Sequence, residues 1–107
     1  MWVVGRSAKP AIVGCQLSGG WDATVWWGDG ALGRLEGCTI SGARDAGLVL
    51  RDPSTAPLVV GSTCRDSNRG IHIDSEVDAA WAPGEGNTYE NMVAADVKRG
   101  LFMFRLQ

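Results

Sequence analysis

The chain has 107 residues, 45% of them hydrophobic and 21% charged, which fits one folded domain with a modest core and excludes a disordered chain. Its formal charge of -2, with acidic and basic residues interspersed, supplies no footprint for nucleic acid or an anionic membrane, so neither partner is expected. No run approaches the roughly 20 apolar residues of a membrane-spanning helix.

The opening MWVVGRSAKPAIVG lacks a basic segment followed by a long apolar stretch, so no secretion signal is visible. Three cysteines without CxxC spacing argue against a disulfide scaffold or a zinc site. The cytoplasm is the expected compartment, and no metal or cofactor is implied.

In chain order, short apolar runs alternate with clusters of Gly, Pro, Asp, Asn and Ser. Trp2-Val3-Val4 comes first, and Ile12 and Gly14-Cys15-Gln16-Leu17 follow Pro10. Val25-Trp26-Trp27 precedes Gly33, Leu35 and Gly37-Cys38-Thr39-Ile40. Leu48-Val49-Leu50 precedes Pro57, Val59 and Gly61-Ser62-Thr63-Cys64, and Ile71-His72-Ile73 precedes Gly86-Asn87-Thr88-Tyr89. Ala95-Asp96-Val97 and the apolar run 100–104 close the chain.

These segments are one repeat. The four glycines are 23, 24 and 25 residues apart, and each opens a string whose fourth residue is apolar. The runs are β-branched or aliphatic and too short for a helical period, so every element is expected to be a strand. A period near 24 with corresponding residues in register predicts coils that stack strand on strand. The fold class is all-β, a parallel solenoid of about four to five coils over residues 1–107, as one domain that stands within a larger chain or an oligomer.

Gly86-Asn87-Thr88-Tyr89 and Gly70-Ile71-His72-Ile73 resemble the G-N-x-I and G-I-x-I strands of pectate-lyase-like proteins. The resemblance implies a right-handed parallel β-helix. The short coils are most similar to β-helix repeats appended as binding modules to bacterial ATPases, kinases and F-box proteins.

Alternation along each strand predicts which side chains face the core. Trp2 and Val4, Val25 and Trp27, Leu48 and Leu50, and Ile71 and Ile73 are expected inside, with Ala95 and Val97 after them. Ile12, Cys15, Leu17, Leu35, Cys38, Ile40, Val59, Ser62 and Cys64 join them from the glycine-bearing segment, taken as a single strand. Val3, Trp26, Val49, His72 and Asp96 are then the outward file, with an exposed apolar stripe at Val3, Trp26 and Val49. The solenoid's first coil is expected to need a covering partner, and the run 100–104 to fold over the last coil.

Asp22 and Asp45 fall at equivalent places, with Asn68 next in the file, and Arg44 and Arg69 stand near to neutralise them. As a stacked pair the two aspartates are the catalytic alternative, since retaining glycosidases use carboxyls roughly 5 Å apart. Turn residues explain both more simply. The paired aspartates, Gly-His-Gly and Arg-x-Lys strings of pectin-cleaving β-helix enzymes are absent.

His72, the single histidine, would have Asp96 beside it but no nucleophile on the adjoining outward positions. Cys15 and Cys38 are read as stacked buried thiols in preference to a disulfide. Asp29 and Asp52 align as solvated turns in preference to a calcium site. If Trp81 takes the place of Ile12 and Leu35, the loop before Gly86 is longer than its counterparts and bulges.

The expected function is a non-catalytic binding or scaffold module, with Trp26, Val49, His72 and Trp81 as binding residues. A protein partner or self-association would use the exposed wall. The alternative is a carbohydrate-binding or carbohydrate-cleaving protein, because aromatic rings beside aspartates suit sugars.

Overall fold

A computed structural model describes residues 1–74, 76–78, 80–90, 94–97 and 102–105, the last two segments as strands. The first coil holds β1 (Trp2–Val4), β2 (Ala11–Val13) and β3 (Gln16–Ser18). The second holds β4 (Ala23–Gly28), β5 (Arg34–Glu36) and β6 (Thr39–Ser41), and the third β7 (Ala46–Leu50), β8 (Leu58–Val60) and β9 (Thr63–Arg65). β10 (Arg69–Ile73) and β11 (Thr88–Glu90) follow, then β12 (Ala94–Val97) and β13 (Phe102–Arg105).

Equivalent strands stack into three sheets. The long sheet runs β1-β4-β7-β10-β12-β13, a second runs β11-β9-β6-β3, and a third β2-β5-β8. Every pairing is parallel except β12 with β13. The protein is an all-β parallel solenoid of about four turns.

Each coil has three sides rather than two, because the expected glycine-bearing strand is broken at its glycine. Gly14, Gly37, Gly61 and Gly86 have φ of 64°, 61°, 58° and 78°, where a side chain is disfavoured, so the chain turns a corner there. At the third and fourth corners the side chain of the next residue satisfies the backbone of the corner before it. Ser62 Oγ accepts the Cys38 amide at 3.2 Å, and Asn87 Oδ1 accepts the Ser62 amide at 2.9 Å. Asn87 Nδ2 also donates to the Val59 and Gly84 carbonyls, both at 3.0 Å. Ser62 and Asn87 thus form a hydrogen-bond ladder that lets the tight corners before them remain buried.

Val25, Leu48 and Ile71 stack in one buried file of the long sheet, and Trp27, Leu50 and Ile73 in another. Leu35, Val59, Ile40 and Cys64 fill the space between sheets. The Trp27 indole nitrogen, fully buried, donates to the Leu32 carbonyl at 3.0 Å, so its one polar atom is not stranded.

The first coil departs from the expected register. Trp2 pairs with Trp26 and Val3 with Trp27, so Val3 is the inward residue at 8% exposure while Trp2 is 72% exposed and Val4 is also exposed. The loop 5–10 holds one residue more than its counterpart 29–33, and a one-residue shift exchanges the faces of a strand. Cys15 is exposed rather than buried, since β3 is an edge strand with a neighbour on one side only.

At the other end of the long sheet, β13 lies antiparallel to β12, with Ala95 beside Phe104 and Val97 beside Phe102. The apolar run therefore adds a strand to the sheet edge; Gly100 and Leu101 lie outside the described residues, as do the side chains expected inside at Ala95 and Val97. Pairing of Arg69 with Ala94 sets Asp96 beside Ile71, so the expected His72 and Asp96 neighbours are out of step by one residue.

Candidate functional site

The outward face of the long sheet gathers most of the residues singled out in the sequence. Trp2, Trp26, Val49 and His72 follow one another in register on β1, β4, β7 and β10. Asp22 and Asp45 precede β4 and β7 and are kept in file by their carbonyls. The Ala46 amide donates to Asp22 at 2.9 Å and the Arg69 amide to Asp45 at 2.7 Å. Arg51 and Asp74 sit just beyond β7 and β10.

Together Asp22, Trp26, Asp45, Val49, Arg51, His72 and Asp74 line a groove of 240 Å³. A second hollow of 280 Å³ shares Trp26 and Arg51 with it and continues toward Trp2, Val4 and Asp52. The two indoles of Trp2 and Trp26 stack with centroids 5.6 Å apart. The Arg51 guanidinium lies 5.5 Å from the Trp26 ring and 3.5 Å from the Asp74 carboxylate. Trp26 is therefore held from two sides, as a fixed aromatic wall between the hollows.

Val49 is 7% exposed, packed with Ala23, Ala46 and the half-buried Trp26. The expected exposed stripe of Val3, Trp26 and Val49 is thus not formed. Its accessible apolar surface belongs to Trp2 and Trp26, with Val49 as the floor.

The two aspartates differ in their surroundings. Arg69 donates from Nε and Nη2 to the two oxygens of Asp45, at 3.1 and 2.7 Å. That bidentate hydrogen bond holds the Asp45 carboxyl below the usual carboxylate range, with smaller help from His72 and Asn68 against the opposing effect of burial. Among the described residues, no hydrogen-bond or ion-pair partner meets the Asp22 carboxylate. Asp45 is consequently unsuited to donate a proton near neutral pH, which one carboxyl of a glycosidase pair must do. Arg44, the other expected neutralising cation, lies over the exposed Trp21 ring at 4.3 Å instead.

Trp81 stands apart from this groove. Its indole nitrogen donates to the Pro57 carbonyl at 2.9 Å and its ring packs against the core. The Gly84 amide donates to the Val59 carbonyl, and the loop between β10 and β11 carries the extra residues. Asp52 serves its turn, accepting the Asp29 amide at 2.8 Å, and no cluster of three metal-ligating side chains occurs among the described residues. No helix among them is long and apolar enough to cross a membrane.

Sequence reasoning missed Trp2, Arg51 and Asp74 as parts of this face. Arg51 and Asp74 follow equivalent strands by one residue, a signal visible once the coils are aligned. Trp2 was hidden by the extra residue in the loop 5–10. Comparison with known proteins gives no matching family model, and no curated protein or solved structure matches the chain.

Proposed function

We propose that the outward face of the long sheet is the binding surface of a non-catalytic module whose partner is another protein, a second copy of the chain included. The observation that carries this reading is the Trp2 and Trp26 stack beside Arg51. Tryptophan and arginine are enriched among residues that dominate protein interfaces, and here a rigid aromatic wall with a buried floor lies between two hollows. The style of the repeat, similar to appended β-helix modules, supports it further.

Site-specific photo-crosslinking tests the reading. A benzophenone side chain at Trp2 should capture a discrete partner, and the same probe at Arg65, exposed on a different sheet, should not. The capture should be lost in Trp26→Ala. Equal capture at both positions, or none at Trp2, overturns it, and the mass of the product tells a second copy from another protein.

A carbohydrate ligand is the second reading, favoured by the unpaired Asp22 carboxylate lining the same groove as Trp26. Glycans of neutral and acidic classes, titrated against tryptophan fluorescence, would bind in a manner sensitive to Asp22→Asn. No response across the panel removes this reading.

A further inference from the structure

The thiols of Cys15 and Cys38 belong neither to the groove nor to the ladder that Ser62 and Asn87 make, which Cys38 joins only through its amide. They are nonetheless matched in position. Gln16 pairs with Thr39, and the Thr39 amide donates to the Cys15 carbonyl at 2.9 Å. Each thiol is turned the same way on its own coil, with Cys15 Sγ 3.5 Å from the Val13 carbonyl and Cys38 Sγ 3.5 Å from the Glu36 carbonyl. Val13 and Glu36 are themselves partners, so the backbones of the two cysteines stack about one strand spacing apart, roughly 4.8 Å.

That spacing lies inside the roughly 4.4 to 6.8 Å that disulfides allow between Cα atoms. Cys38 Sγ also reaches the Ile12 carbonyl of the first coil at 3.3 Å, so it leans toward Cys15. The next residue in the file is Ser62, which has no thiol to compete. Cys64 is enclosed in the core.

We infer that Cys15 and Cys38 are an oxidative modification site, a thiol pair that a hydroperoxide closes into a disulfide between the first and second coils. The exposed Cys15 reacts first, because Cys38 is 1% exposed and closed to solvent. The Cys15 thiolate attacks the peroxide, breaking its O–O bond, giving a sulfenic acid and releasing water or alcohol. The Cys38 thiolate then attacks that sulfur, forms the S–S bond and expels the hydroxyl as water. Two thiols lose two electrons and two protons, and the peroxide takes them up.

Closure must also draw the Cβ atoms to within about 3.5 to 4.5 Å. As an edge strand, β3 has no neighbour on its outer side to resist that tilt. The resulting bond is exposed on its Cys15 side, and exposed disulfides are the readily reduced ones, so the pair is reversible.

Brief hydrogen peroxide treatment of the intact chain, followed by denaturation, thiol alkylation and peptide mass mapping, tests the inference. The expected product has lost two thiols and two hydrogens, contains linked peptides of Cys15 and Cys38, retains Cys64 as a thiol, and returns to the starting mass with dithiothreitol. In Cys38→Ser, with its fold checked by circular dichroism, Cys15 should instead persist as a sulfenic acid trapped by dimedone. Recovery of Cys38 as a free thiol overturns the inference, whether Cys15 has gone on to sulfinic acid, has joined chains together or has not reacted.

Discussion

Arg69 holds Asp45 across one coil step, donating to both carboxylate oxygens from β10 to the turn before β7. The pair ties together the third and fourth coils on the face that also carries Trp26 and His72. It is partly exposed, so its worth is that of a screened pair with good geometry, about 0.5 to 1 kcal/mol.

Asp45→Asn should therefore lower unfolding stability by about that amount at neutral pH. The folded carboxyl is held below its unfolded value of about 3.9, so the contribution is complete above that pH and disappears as pH falls through the lowered folded value. Urea unfolding of both proteins should show a difference at pH 7 that shrinks toward zero in strong acid. A difference that grows on acidification contradicts the assignment.

Val49 and Trp2 separate floor from surface. Val49→Asp places a charge at a site 7% exposed beneath Trp26 and should cost about 2 to 4 kcal/mol. Trp2→Ala removes only one side of an exposed stack and should cost less than about 1.5 kcal/mol. Thermal melts of the two variants rank them directly.

The corner ladder predicts an unusual sensitivity to a small polar deletion. Ser62→Ala strands the Cys38 amide at a buried corner and should cost about 1 to 3 kcal/mol. Thr63→Ala, one residue on and outward, leaves its bond to the exposed Thr88 as the only loss and should stay within about 1 kcal/mol. Amide exchange at Cys38 should accelerate in the first variant alone.

Leu48, fully buried between Val25 and Ile71, is the centre of the core file. Leu48→Ala should destabilise by about 2 to 5 kcal/mol, the range for cavities that relax incompletely. Chemical denaturation measures it, and a cost under about 1 kcal/mol would mean that the coils close over the gap.

Much of this was legible because a solenoid repeats its own evidence. The glycine spacing and the apolar triplets identify the coil, and three equivalent triplets predict the buried files of Val25, Leu48 and Ile71 without reference to any distant contact. Asp22, Asp45, Trp26, Val49 and His72 share a groove for the same reason: equivalent positions in stacked coils become neighbours.

Where counting along the chain failed, one residue was enough. The longer loop 5–10 turned Trp2 outward and Val3 inward, and no residue type in MWVV announces that shift. Burial of Val49 was equally invisible, because an outward position becomes a floor only when a large neighbour, here Trp26, lies across it. Trp81 lies outside the groove because its ring turns onto the core and its indole nitrogen onto the Pro57 carbonyl, a choice that spacing along the chain does not reveal.

Sequence by itself determined the repeat, the coil length and the inward files of the long sheet beyond the first coil, since these follow from apolar alternation repeated at a fixed spacing. The corners at the repeat glycines, read there as continuous strand, emerged only in the structure. Tertiary structure alone decided the register of the first coil, the capture of Asp45 by Arg69, the pairing of Trp2 with Trp26 and the exposure of Cys15. Those depend on how long side chains and unequal loops settle between coils, which is a matter of packing across the stack rather than of pattern along the chain.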